Sequence, residues 1–136
     1  MVHDERPPRL AAARQLLHHL SRGDATSAMG SLSPGVRVVV PGRSDLAGDF
    51  RGRDQVAGHL LRLVATVSDT IEALKWEDVM EGDQHVAALL VVHAQRPGHV
   101  YQGRHLYLLS FDPDDRIAEI HLFPEDQGAF DRFLAG

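Results

Sequence analysis

Cysteine is absent from this 136-residue sequence, and lysine occurs only at Lys75. Without cysteine there are no disulfide bonds, no thiol nucleophiles and no cysteine-ligated zinc sites. No apolar run approaches the roughly 20 residues of a membrane-spanning helix, and the first residues lack the basic-then-apolar order of a signal peptide. A formal net charge of −5 argues against a general nucleic-acid-binding surface. These absences predict a cytoplasmic protein with no membrane and no nucleic-acid partner.

The length and the apolar periodicity favour one small domain that spans residues 1–136. Apolar residues recur at helical spacing from Leu10 to Leu20, and a short helix capped by Asp24 is expected next. A longer helix is expected at about 54–67. The tail after Pro124 is expected to form a short helix whose apolar side carries Phe130, Phe133 and Leu134.

Strand-like segments fill most of the remaining sequence. Turn residues separate them, and we expect strands at 36–40, 70–80, 85–95, 100–111 and 116–123. A turn is expected at 33–35 and a glycine-containing loop at 41–53. Helices followed by a run of hairpins are typical of an α+β fold, in which a curved, largely antiparallel sheet wraps around the N-terminal helices.

The two long hairpins set a register that sorts side chains onto two sheet faces. A two-residue turn at 97–98 places Ala88 opposite Tyr107, and a four-residue turn at 112–115 places Tyr107 opposite Ile120. Small residues among larger apolar ones on a concave face leave room for a ligand, whereas helix side chains that fill the hollow as ordinary core are an equal alternative. This inner face comprises Ala88, Leu90, Val92, Ala94, Tyr101, Gly103, His105, Tyr107, Ala118, Ile120 and Leu122.

The opposite, outer face of the predicted sheet mixes apolar and polar side chains. Its members are Leu89, Val91, His93, Gln102, Arg104, Leu106, Leu108, Glu119, His121 and Phe123. The mixture is too apolar for a solvent face and too polar for a core, which predicts a homodimer contact. A partly exposed sheet covered by the C-terminal tail is the alternative.

Three segments carry a family resemblance. Residues 38–52 (VVVPGRSDLAGDFRG) resemble the strand and loop of many bacterial SnoaL-like proteins, residues 94–98 (AQRPG) the central hairpin, and residues 116–127 (RIAEIHLFPEDQ) the closing strand. SnoaL-like proteins belong to the nuclear transport factor 2-like superfamily, together with ketosteroid isomerase and limonene epoxide hydrolase. The resemblance spans nearly the whole chain. It implies a cone-shaped α+β barrel with an internal pocket, no cofactor, and commonly a homodimer.

The resemblance also implies where relatives keep their acid and base groups. Those positions correspond here to Val39, Val40, Ala88, Leu90 and Leu122, all of which are apolar. Direct transfer of the isomerase, epoxide hydrolase or cyclase mechanisms is therefore not expected. Tyr107 falls near the position at which ketosteroid isomerases carry a protonated aspartate that donates a hydrogen bond to an oxyanion.

Polar groups that remain suggest an alternative site. On the inner face, His105 is a candidate proton carrier and Tyr107 a candidate hydrogen-bond donor to a developing enolate. The alternative is a core histidine and tyrosine that bond to each other or to water. On the 41–53 loop, Asp49 is a candidate base and Arg43 a candidate clamp for an anionic group, or both belong to a solvated loop with local ion pairs. The expected substrate contacts are Tyr101, Arg43, Val39, Ala88, Leu90, Val92, Ile120, Leu122 and His59.

The nine histidines do not predict a metal site. His93 and His105 fall on opposite sheet faces, and His99 falls in the turn between them. Our leading hypothesis is a cofactor-free enzyme that isomerises, cyclises, dehydrates or opens an epoxide on a small, largely apolar metabolite. A non-catalytic binder or accessory dimer is the second hypothesis, and a dimerisation module with a filled core is the third.

Overall fold

A computed structural model describes residues 8–22, 24–67 and 73–135 of the protein. Its helices are α1 (Pro8–Ser21), α2 (Ala25–Ala28), α3 (Gly52–Val67) and α4 (Gln127–Ala135), with a 3-10 turn at Met29–Ser31 after α2. Proline suits the start of α1, because a first-turn N–H has no partner within the helix anyway. Asp24 caps α2 as predicted, since its carboxylate accepts a hydrogen bond from the backbone N–H of Ser27 at 3.0 Å.

The described strands form one mixed sheet in the order β2-β1-β6-β5-β4-β3. Their bounds are β1 (Leu32–Val40), β2 (Gly48–Arg51), β3 (Ala73–Glu81), β4 (His85–Arg96), β5 (His99–Phe111) and β6 (Ile117–Pro124). Strands β1 and β6 run parallel, and every other neighbouring pair is antiparallel. Helix α1 packs against β3, β4 and β6, and α3 packs against β1, β2 and β4. The predicted α+β class is confirmed, with helices packed on the inner face of a mixed sheet.

The β4–β5 hairpin has the predicted register. Ala88 pairs with Tyr107 and Ala94 with Tyr101, and Gly98 in the turn has φ +80°, a left-handed value that glycine adopts without steric cost. Alternate residues along both strands are therefore buried on the inner face, as the sequence predicted.

The β5–β6 register differs from the prediction by two residues. Tyr107 pairs with Leu122 instead of Ile120. The turn is one residue longer, because the Asp112 carboxylate accepts hydrogen bonds from two backbone N–H groups within it. The second residue of the register shift comes from a bulge at Ala118 in β6. A shift of two keeps Ile120 and Leu122 on their predicted face, and both are buried. Before the bulge the prediction was wrong, since Ile117 is the fully buried core residue and Ala118, which was expected on the inner face, is only partly buried.

Two element predictions were wrong. The predicted 41–53 loop contains the short strand β2, whose Gly48 has φ +150° and begins the pairing with Val40. The predicted turn at 33–35 lies inside β1, at a register irregularity relative to β6. Proline is tolerated there because β2 pairs only with the later part of β1, so no hydrogen bond from residue 34 is needed on that side. The start of the predicted strand 70–80 lies partly outside the described residues.

Candidate functional site

Most of the predicted pocket-lining residues are buried in packed core. Ala88 and Leu90 are fully buried against Leu17 of α1 and form a small cluster separate from the main core. Other predicted contacts on this face belong to the main core, namely Val92, Tyr101, Ile120 and Leu122. Over Ala88 and Leu90 the inner face is thus filled by a helix side chain, which was the alternative interpretation of the small residues.

Tyr107 is the exception on the inner face. It packs against both apolar clusters, is only partly buried, and its hydroxyl has no hydrogen-bond partner among the residues that the structure describes. Burial, and then the neighbouring Tyr101, raise the pKa of Tyr107 to about 12. A phenol with this pKa stays protonated at every physiological pH, so it is a hydrogen-bond donor and not a base.

His105 is bonded to Tyr101, although the sequence paired it with Tyr107. The Tyr101 hydroxyl and His105 Nε2 are 2.6 Å apart, and both residues are buried, at 5% and 2% exposed. The rings of His105 and Tyr107 lie side by side with centroids 6.4 Å apart. Burial lowers the pKa of His105 to about 4, so its imidazole is neutral at pH 7. Its Nδ1 is buried and has no partner among the described residues.

Helix α4 covers this end of the inner face. The Phe130 ring meets the His105 ring edge-on with centroids 4.7 Å apart, and Phe133 stacks on Tyr101 at 5.4 Å. The first part of α4 is tied to the loop after β1, since the Gln127 side-chain amide donates to the Pro41 carbonyl oxygen at 3.2 Å. The sequence predicted the apolar side of this helix but did not predict that it packs on the inner face beside His105.

His59 lies on the inner side of α3, above β2. Its ring stacks on Phe50 with centroids 4.1 Å apart, and it is 4% exposed. Burial, and then the charge of Arg62, lower the pKa of His59 to about 4. Its Nδ1 also lacks a partner within the described part of the chain. His59 and His105 are thus two neutral imidazoles enclosed on the inner side.

Asp49 does not lie at a pocket mouth, and that expectation is corrected. It sits on β2 opposite Val39, on the outer side of the sheet, where Arg37 donates two hydrogen bonds to its carboxylate at 3.0 and 2.9 Å. The hydrogen bonds from Arg37, followed by one from Arg51, lower the pKa of Asp49 to about 2. A carboxylate held in this way is a weak base, and it faces away from Tyr107.

Two further predicted contacts also fall outside the inner face. Val39 lies between the buried Val38 and Val40 on β1 and shares the outer face with its strand partner His121. Arg43 is exposed on the loop after β1, where its backbone N–H donates to the Asp131 carboxylate at 3.2 Å. The pleat of β1 explains the Val39 error, since successive side chains point to opposite faces.

A concave notch lies beside Tyr101, between the start of β5 and α4. It holds about 400 Å³ and is lined by His99, Val100, Tyr101, Gln102, Ala129, Arg132 and Phe133. A smaller notch of about 240 Å³ lies at the opposite end of the sheet, where Arg9 pairs with Asp115 at 3.0 Å and lies over the Phe111 ring. Asp83 and His85 also line this second notch, far from Tyr107 and His105 along the sheet.

Neither a metal-ligating cluster nor a membrane-spanning helix occurs in the part of the chain that the structure describes. Within residues 8–22, 24–67 and 73–135, no group of three histidine, aspartate or glutamate side chains is arranged to hold a metal ion. Over the same ranges, no helix is both long enough and apolar enough to span a membrane.

Comparison with known sequences identifies mycobacterial relatives. No family model matches the sequence. A Mycobacterium tuberculosis protein, named uncharacterized protein Rv0034, is 32% identical over 127 residues, which cover 93% of this chain and 95% of the relative. The Mycobacterium bovis protein named uncharacterized protein Mb0035 matches with the same identity and coverage.

Solved structures share the fold at lower identity. A protein of unknown function with a cystatin-like fold from Xanthomonas campestris has a TM-score of 0.85 at 25% identity, covering 94% of this chain and 98% of its own. An NTF2-like protein from Burkholderia pseudomallei has a TM-score of 0.79 at 18% identity, covering 96% and 100%. TerC, in a structure co-crystallized with polyporic acid, has a TM-score of 0.82 at 14% identity, covering 96% and 100%. The chain therefore belongs to the same family as the mycobacterial proteins, and its fold is that of the nuclear transport factor 2-like superfamily.

Proposed function

We propose that the protein binds a small, largely apolar organic molecule through an oxygen atom of that molecule, beside Tyr107, and acts on it by acid–base chemistry without a cofactor. The Tyr107 hydroxyl carries the proposal. It is a polar group among the apolar side chains of the inner face, it is only partly buried, and it has no hydrogen-bond partner among the described residues. Its O–H is therefore available to an oxygen atom of a bound molecule.

The electrostatics of Tyr107 suit an oxygen that gains negative charge. Because burial holds its pKa at about 12, the hydroxyl remains a donor throughout the neutral range. A fixed donor in a water-poor site stabilises a developing oxyanion far better than it would in water. The oxyanion hole of ketosteroid isomerase likewise relies on neutral donors that are buried among apolar groups.

His105 is the proposed acid–base partner of Tyr107. It lies two residues away on the same face, and its imidazole is neutral because its pKa is lowered to about 4. A neutral imidazole can donate a hydrogen bond or a proton to the oxygen of a bound carbonyl compound, beside the Tyr107 hydroxyl. Reactions in which that oxygen gains negative charge, such as isomerisation and cyclisation, fit two such donors best.

A neighbour of similar fold supports the choice of an organic ligand. TerC was co-crystallized with polyporic acid. The inner face of the present chain is lined mainly by aliphatic and aromatic side chains, which favour an apolar ligand. The oxygen atom that Tyr107 would contact is then the polar group by which the ligand is oriented.

A non-catalytic binder is the second candidate, and the position of Asp49 favours it. Asp49 was the carboxylate expected to act as a base, and it lies ion-paired on the outer side of the sheet. The described groups beside Tyr107 are a phenol and an imidazole of low pKa, which suffice for binding an oxygen atom.

The binding proposal is tested with two probes of matched shape, 2-acetylnaphthalene and 2-ethylnaphthalene. The wild-type protein should bind the ketone more tightly than the hydrocarbon, as measured by titration calorimetry. Tyr107→Phe keeps the ring and removes the donor, so it should weaken ketone binding by about two- to tenfold and leave hydrocarbon binding unchanged. Asp49→Asn is the matched control and should change neither. An undiminished preference for the ketone in Tyr107→Phe contradicts the proposed site.

Catalysis and mere binding are separated by proton exchange. An enolising enzyme should replace the methyl protons of bound 2-acetylnaphthalene by deuterium in heavy water, as followed by NMR. Exchange in the wild type that falls by about a hundredfold or more in Tyr107→Phe supports the enzyme. Saturable binding with no exchange above the solvent rate identifies a binder.

A further inference from the structure

Tyr101 reaches His105 along its own strand. The two residues are four apart on β5, which separates their Cα atoms by roughly 13 Å in an extended strand. Their side-chain atoms nevertheless meet at 2.6 Å. The Tyr101 side chain must therefore lie along the strand and pass over Gly103, the residue between them on the same face.

Gly103 makes this path possible. A Cβ atom at position 103 would lie 2.7 Å from the Tyr101 hydroxyl oxygen, closer than real Cβ contacts come, and 3.1 Å from its Cζ, which is tighter than most. A side chain at this position would therefore displace the phenol from its place beside His105. From the other side, Phe130 and Phe133 of α4 hold the Tyr101 ring with centroids 5.6 and 5.4 Å away. The phenol is thus fixed between the strand and the helix.

The proton between Tyr101 and His105 can be placed by counting unsatisfied groups. If the Tyr101 O–H donates to Nε2, the neutral ring carries its own proton on Nδ1, and that N–H is the one unpaired group. If Nε2–H donates instead, both the Tyr101 proton and the Nδ1 lone pair are left without partners, since the described residues offer neither an acceptor nor a donor there. The first arrangement leaves fewer buried polar groups unpaired and is therefore favoured.

We propose that Tyr101 is a positioning residue whose hydroxyl donates to His105 Nε2 and thereby holds the His105 ring in its Nδ1–H tautomer. Gly103 is the residue that permits this contact. The tautomer itself is independent of the proposed function, whereas its consequence for a ligand rests on that function.

This assignment narrows the role of His105. In the resting protein Nδ1 carries a proton, so His105 offers a hydrogen bond and does not act as a base from that atom. The oxygen of a bound molecule is the group that would satisfy the unpaired Nδ1–H. Together with Tyr107, this gives two neutral donors on one face, which suits a ketone or another carbonyl compound whose oxygen becomes negatively charged.

The tautomer is measured by the ¹⁵N chemical shifts of the His105 ring at pH 7 in the free protein, with no ligand added. We expect a protonated Nδ1 and an unprotonated, hydrogen-bonded Nε2. In Tyr101→Phe, which keeps the ring between Phe130 and Phe133, the fraction of the Nδ1–H form should fall. Gly103→Ala keeps the Tyr101 hydroxyl but displaces it, so it should act in the same direction.

Gly58→Ala is the matched control, because a Cβ atom there meets nothing within 4 Å. It should leave the His105 shifts as in the wild type. A protonated Nε2 in the wild type, or an undiminished Nδ1–H form in both Tyr101→Phe and Gly103→Ala, overturns the inference. A failure of the naphthyl ketone to bind would count against the proposed function alone, since the tautomer is read without it.

Discussion

The inner and outer faces of the sheet treat their ionisable side chains in opposite ways. On the inner face, burial lowers the pKa of His105 to about 4 and raises that of Tyr101 to about 12, so both groups are neutral. On the outer face, hydrogen bonds from Arg37 lower the pKa of Asp49 to about 2, so this group is charged. Burial without an opposite charge favours the neutral form, and an ion pair favours the charged form.

The difference shows which face can do chemistry on an apolar molecule. The inner face supplies neutral hydrogen-bond donors in surroundings from which water is largely excluded, and there a single donor has a large effect. The outer face supplies charges that are already paired and screened by solvent. The homodimer contact expected on the outer face stays a prediction.

The largest contrast between the faces should appear in stability. Leu108 and Leu109 are neighbours on β5, with Leu109 fully buried on the inner face and Leu108 only partly buried on the outer face. Leu109→Ala should lower the free energy of unfolding by about 2–5 kcal/mol, because it leaves a cavity in the core. Leu108→Ala is the same change on the other face and should cost less than half as much. Urea denaturation measures both, and equal costs would show that the outer face is packed as tightly as the inner one.

The next largest contrast is the loss of folding stability at low pH. A histidine whose pKa is about 4 in the folded chain and 6.5 when unfolded binds its proton more readily in the unfolded state. Stability is therefore complete above pH 6.5 and falls as the pH drops from 6.5 to about 4, by on the order of 3 kcal/mol for His105. His59 acts in the same direction. Urea unfolding at several pH values measures the slope.

The acid effect has its own control. His105→Gln should reduce the pH dependence between 6.5 and 4 to the part that His59 contributes, and His99→Gln, at the exposed start of β5, should leave it in place. An unchanged slope in His105→Gln would mean that the imidazole is hydrated or charged in the folded protein.

The smallest effect belongs to the ion pair on the outer face. Asp49→Asn removes the partner of Arg37, and both side chains are substantially exposed. The loss of stability should be the smallest of the three, and it should shrink further as salt is added, because exposed ion pairs are screened. The contribution of Asp49 is present above pH 3.8 and is lost as the pH falls towards about 2. A loss as large as that of Leu109→Ala, measured in the same urea assay, would contradict the contrast between the faces.

The sequence predicted most of the inner face because side chains alternate between the two sheet faces along each strand. The β4–β5 turn at 97–98 was identified from its Pro-Gly pair, and the resulting pairs are the observed ones. The β5–β6 pairing was wrong by two residues, because neither the long turn organised by Asp112 nor the bulge at Ala118 leaves a pattern in hydrophobicity. An even error preserved the faces of Ile120 and Leu122, whereas His105 and Tyr107 share a face because they are two residues apart on one strand.

The sequence could not predict the partners of the site residues. Asp49 was assigned to a loop because β2 is only four residues long and follows a glycine-containing turn, and its face depends on pairing with β1. The apolar side of α4 was visible in Phe130 and Phe133, but an amphipathic pattern does not say which surface the helix covers. The Tyr101–His105 bond depends on that surface and on the glycine between the two residues.

The most direct test of the central claim is a crystal structure of the wild-type protein with 2-acetylnaphthalene. We expect the ketone on the inner face, with its carbonyl oxygen within hydrogen-bond distance of the Tyr107 hydroxyl. A ketone that occupies only the notch between β5 and α4, or only the outer face of the sheet, would contradict the account.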